Sequence, residues 1–230
     1  MATEASAPLY RRATVAALVV APALLLVDNL LHPTEYARDH EAEQLAEIAD
    51  AYTRWQLAHA LGFVALIVFT AAVLGLGWLV RRRQPGLGLV AGALGIIGLL
   101  GLASIVTIDG YTWAVLGEVS AKTTDKAAIE LALHDVQQSD WSLLYYTVPL
   151  AWIIGMVMLA VGLARQGAAP AWACALLVLG TLMVATETIV TDNAYFIAGA
   201  AVMLAACLSV ALPLARMSDA DFARGGPAPI

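Results

Sequence analysis

The chain has 230 residues, 61% of them hydrophobic and 13% charged, with a formal net charge of −6 and a mean hydropathy of +0.79. A water-soluble domain carries about a quarter charged residues, so this composition excludes one and specifies an integral membrane protein. No nucleic-acid partner is expected.

Six apolar stretches, at approximately 13–31, 56–80, 86–108, 142–164, 170–191 and 194–215, approach the length needed to cross ~30 Å of hydrocarbon as helices. The expected fold is an all-α bundle of six transmembrane helices forming one domain over residues 1–230. Arg11 and Arg12 precede the first stretch, which runs through Asp28 to Pro33 without a small-residue cleavage pattern. It reads as a retained signal-anchor helix.

Asp28 interrupts the leucine run LLLVDNLLHP. An ionisable group at membrane depth costs roughly 2.5–3.5 kcal/mol on insertion scales, so it requires partners or a function. His32 follows four residues later, on the same face if the helix persists. Residues 34–54 then set Leu45, Ile48, Ala49 and Tyr52 at helical spacing, which predicts a short amphipathic helix at the outer surface.

The second stretch opens with Trp55 and, one turn later, His59. Arg81, Arg82 and Arg83 separate it from the third, where Gly88, Gly92, Gly95, Gly98 and Gly101 form a stripe for close helix packing. No GxxxxGK[ST] phosphate loop occurs. The first, third and fifth stretches reach VDNLL, TIDGY and VTDNAY, each with Asp followed by Asn or Gly. At Asp109 and Asp192 this is expected to be helix-end chemistry, with the next residue turning left-handed. Asp28 escapes that account, because Leu30 and Leu31 still follow it. The shared IVT-containing endings, about 82–84 residues apart, hint at a duplicated hairpin.

Residues 119–140 predict a second amphipathic outer helix through Ile129, Leu133 and Val136. The fourth stretch carries Tyr145 and Tyr146 above Pro149, whose missing N–H is expected to kink the helix and widen the bundle. Glu187 lies near the outer end of the fifth. Trp55, Trp113, Trp141, Tyr111 and Tyr195 read as an outer aromatic belt, and Trp78 and Trp172 as an inner one. Eight of the twelve Lys and Arg residues fall at one end and fifteen of the eighteen acids at the other or in its half. The positive-inside rule then places both termini in the cytoplasm.

Asp28, His32, His59 and Glu187 are expected to converge on an outward-opening polar pocket. Two histidines with two carboxylates suit zinc or non-haem iron with an open position, though no ligand spacing is diagnostic. Asp28 or Glu187 is the candidate general acid or base. Trp55, Thr107, Asp109, Tyr145 and Tyr146 are the candidate lining for a lipid-like or small apolar molecule from the outer leaflet. A competing reading is a hydrogen-bonded cluster that fixes packing in a non-catalytic accessory subunit, and a third is a small transporter. His32 at a helix end before Pro33 speaks against a bis-histidine haem. Cys174 and Cys207, inside apolar runs and without a CxxC partner, read as small packed residues.

With His32-Pro33 after the first stretch and a W-x3-H motif (Trp55 to His59) opening the second, this Ala/Leu/Gly/Arg-rich chain resembles uncharacterised multi-pass membrane proteins of high-GC bacteria. The resemblance covers most of the chain. It implies a bacterial inner-membrane setting and no particular activity.

Overall fold

A computed structural model describes residues 7–33, 40–123, 125, 127–129, 131, 134, 142–187, 190 and 192–227, with the backbone alone at 41 and 142–146. The described elements are helices throughout: α1 (Ala7–Leu31), α2 (Glu41–Asp50), α3 (Tyr52–Arg81), α4 (Pro85–Lys122), α5 (Ser142–Arg165), α6 (Ala171–Ala185), α7 (Asn193–Arg216) and α8 (Asp219–Arg224). Pro85 starts α4 at a position where its missing N–H costs nothing.

Five helices, α1, α3, α4, α5 and α7, are long and apolar enough to cross a membrane. The protein is an all-helical, multi-pass membrane bundle. The sixth expected span is shorter. It forms α6, whose 15 residues reach only about 22 Å at 1.5 Å each. The helix stops where VATETIV turns polar, and the Thr186 hydroxyl donates back to the carbonyls of Leu182 and Met183.

The helices close a ring. α1 packs on α3 and α7, α3 on α4, α4 on α5, α5 on α6, and α6 on α7. Leu18, Leu76, Leu99, Met156, Leu177 and Val210 lie in its continuous apolar core. The glycine stripe of α4 lets two backbones meet: a Cβ added to Gly98 would lie 2.2 Å from the Trp152 nitrogen of α5.

The expected helix ends differ from those observed. No described non-glycine residue adopts a left-handed backbone, so Asn193 does not make the expected turn. Asp192 caps the start of α7 rather than ending the preceding span, accepting from the Ala194 N–H at 2.8 Å. Asp109 and Gly110 lie inside α4, which runs on to Lys122. Its 38 residues make about 57 Å, nearly twice the hydrocarbon thickness. A helical glycine costs about 1 kcal/mol relative to alanine, and packing around Gly110 offsets it.

That packing forms a second, smaller core of Ile48, Trp55 and Ala114, with Tyr52 and Trp113 against it. The expected amphipathic helix in 34–54 is α2, and it buries Leu45 and Ile48 against the extension of α4 beside Gly117. Of the second expected outer helix, residues 119–122 end α4, and Leu133 and Val136 lie outside the described residues. The bundle therefore carries a cap of α2 and the projecting ends of α3 and α4 at the end away from Arg81, Arg82 and Arg83.

Candidate functional site

Polar side chains gather where the cap meets the bundle. Asp28, on the last turns of α1, is 8% exposed. Its carboxylate faces α3 at Gly62, where an added Cβ would lie 2.7 Å from Oδ2. It interacts electrostatically with His59, one turn away along α3. The His59 ring rests on α4 at Gly110, where a Cβ would come within 2.6 Å of it. Two glycines on two helices thus make room for two ionisable side chains.

His59 is fixed at both nitrogens. Nδ1 lies 3.0 Å from the Trp55 carbonyl, and Nε2 lies 3.4 Å from Asp109 Oδ2. A carbonyl only accepts, so Nδ1 carries a proton and donates it. Nε2 and a bare carboxylate would then be two acceptors face to face. A proton on Nε2 as well would let His59 donate to both neighbours. Asp109 is the more exposed member, with its side chain 41% exposed against 11% for His59.

His32 follows directly after α1, and its ring centre is 5.0 Å from that of His59 and 4.8 Å from that of Trp55. Nδ1 donates to the Pro33 carbonyl at 3.0 Å. Burial, assisted by the charge of His59, pushes its pKa down to about 4. Trp55 is 2% exposed, and its indole N–H donates to the Gly110 carbonyl at 3.0 Å. The residue placed in an aromatic belt is instead the peg that holds α3 to α4.

Glu187 belongs to a second polar group on the other side of α1. Asn29 donates through Nδ2 to Glu187 Oε1 at 3.3 Å and to the Phe196 carbonyl at 3.0 Å. Asn193 donates to the Pro33 carbonyl at 3.0 Å, and Thr186 and Tyr195 share a hydroxyl hydrogen bond of 2.6 Å. These contacts tie the end of α1 to the α6–α7 turn.

Of the predicted site residues, Asp28, His32, His59, Asp109 and Trp55 are brought together. Thr107 is not: it is exposed and spends its hydroxyl on the Ala103 carbonyl. The side chains of Tyr145 and Tyr146 lie outside the described residues. Among the described residues, no three His, Cys, Asp or Glu side chains are grouped so as to hold a metal ion. The zinc or iron set of Asp28, His32, His59 and Glu187 is therefore not assembled. Asn29, Gly62 and Gly110 escaped the sequence reading, and a buried Asp-Asn pair was the available signal for the first.

A family model described as "Domain of unknown function (DUF4386)" matches residues 13–216. The chain belongs to the DUF4386 family. No curated protein and no solved structure matches it. The matched stretch of this DUF4386 chain contains α2 and every residue of both polar groups, while Arg11, α8 and the chain beyond it fall outside.

Proposed function

We propose that this DUF4386 protein receives a lipid-like or small apolar molecule at the capped end of its bundle, where Asp28, His59 and Asp109 handle a proton on the ligand's polar group. One observation carries the reading: His59 is engaged at both nitrogens, by the Trp55 carbonyl and by Asp109, beside the buried carboxylate of Asp28. Ionisable groups at this depth are retained where they serve a pathway or a site. In the order Asp109, His59, Asp28, exposure falls from the outside of the cap toward the bundle. That gradient leads inward toward a ligand head lodged against α1. Asp28 is the general acid or base in this account, and His59, held at both nitrogens by Trp55 and Asp109, sets the charge beside it.

A second reading, a non-catalytic subunit whose cluster only locks packing, draws on the glycines. Gly62 and Gly110 bring backbone directly onto Asp28 and His59, as in a purely structural joint. Mass spectrometry of small molecules retained by protein purified into lipid nanodiscs distinguishes the two. A retained lipid-like compound is expected in the native protein, with its loss in His59→Gln and helix content unchanged. Equal retention by both proteins, or none by either, would count against the ligand-handling role.

A further inference from the structure

The basic end of the bundle is closed by residues that lie beyond the family match. After α7, Ser218 caps α8, accepting from the Asp221 N–H at 3.0 Å. The six residues of α8 return across the ends of α1 and α3. Phe222 is completely buried within the main core, and its ring stacks on Trp78 at 5.0 Å and 22°. Tyr10 stacks on Trp78 at 6.0 Å, and the Arg82 guanidinium lies 5.1 Å from that ring's centre.

Backbone contacts complete the attachment. Arg82 Nε donates to the Ala223 carbonyl at 2.6 Å. Arg83 donates to the carbonyls of Gly226, at 3.0 Å, and Pro227. Gly225, at φ 88°, ends α8 in a left-handed turn that favours glycine. A Cβ there would also lie 2.7 Å from that of Arg82. Gly226 comes next to Ala168 in the α5–α6 turn. Arg11 pairs with Asp219 at 2.7 Å and also donates to the Ala215 carbonyl at 2.8 Å.

We infer that residues 218–227 are a latch that holds the basic ends of α1, α3 and the α5–α6 turn together, and that withdrawing Phe222 opens this end of the bundle. The inference is independent of the function proposed for the opposite end. Its energetic order follows from burial. Phe222 gives up a core position when it leaves, whereas the Asp219 side chain is 44% exposed and its ion pair is screened by water. The aromatic anchor therefore dominates, and the ion pair orients.

The chain supplies its own reporter. Cys174, in the first turn of α6 after the covered Ala168 and Ala169, is a free thiol and 4% exposed. In a Cys207→Ala background, the rate at which a water-soluble maleimide modifies Cys174 in detergent-purified protein measures opening of this end. Phe222→Ala is expected to raise that rate on the order of a hundredfold. A chain ended after Met217 should match it, and Asp219→Asn should change it less than about fivefold. Circular dichroism identifies variants that retain their helices, and Phe222→Leu, expected to be intermediate, replaces any that do not. Wild-type rates in the truncated chain and in Phe222→Leu would overturn the latch. So would an Asp219→Asn effect as large as that of Phe222→Ala.

Discussion

Asp28 and Asn29 are neighbours in sequence and serve opposite sides of α1, since consecutive helical residues point about 100° apart. Asp28 turns to His59 and Gly62, while Asn29 turns to Glu187 and Phe196. The Asp28–His32 and Trp55–His59 spacings were legible because each pair lies one turn apart along its own stretch of chain. The partnership of Asn29 with Glu187 was not, because it joins residues 158 apart and no local pattern encodes it. His32 makes stability depend on pH. Its pKa of about 4 in the folded chain lies below the ordinary 6.5, so the unfolded chain binds the proton first as pH falls. Stability is full above about pH 6.5, declines toward pH 4 and levels off below it. In denaturation titrations, His32→Gln should flatten that stretch of the profile; an unchanged slope would show that His32 is not the buried neutral group described here.

Among the elements, α4 separates what pattern reveals from what packing decides. Its apolar start and glycine stripe were readable, and so was the amphipathic face of α2. Its continuation through Asp109-Gly110 was not, because both residues favour helix ends in isolation. Tertiary contacts override that preference here, with Trp55 bonding the Gly110 carbonyl and Ile48 packing by Gly117. The end of α6 was missed for the converse reason. Hydropathy continued past Glu187, but the Thr186 hydroxyl and the Asn29 bond hold a turn there. If α2 is docked chiefly through its buried face, Ile48→Asp should release it. Hydrogen exchange should then accelerate across Glu41–Asp50 and leave α5 and α7 protected. Uniform acceleration would mean that the small core is not a separate unit.

For the whole molecule, charge and length dictated a multi-pass helical bundle, and the ring of α1, α3, α4, α5, α6 and α7 realises it. The order of packing around that ring was not legible in the sequence, since every span is similarly apolar. The proposed sidedness follows from the arginines, with Arg11, Arg82, Arg83 and Arg165 in the cytoplasm and the α2–α4 cap outside. Single cysteines placed in 41–50 should react with a membrane-impermeant reagent on intact cells, and cysteines placed near Arg82 or Arg165 should not. Reversed labelling would invert the direction from which the proposed ligand arrives.

The proton-handling role of the capped end is tested most directly by replacing Asp28 with its uncharged isostere and reading two quantities from one purified sample. Asp28→Asn keeps the shape and hydrogen-bonding capacity of the side chain but cannot exchange a proton. The expected unfolding free energy is within about 1 kcal/mol of the native value, since the isosteric amide fits that space, together with loss of the retained molecule or its turnover. Asp28→Leu, by contrast, should destabilise by about 1–3 kcal/mol by overpacking the tight contact with Gly62. An Asp28→Asn protein that is as stable as the native one and retains its ligand equally well would contradict the proposal, leaving Asp28 a packing residue.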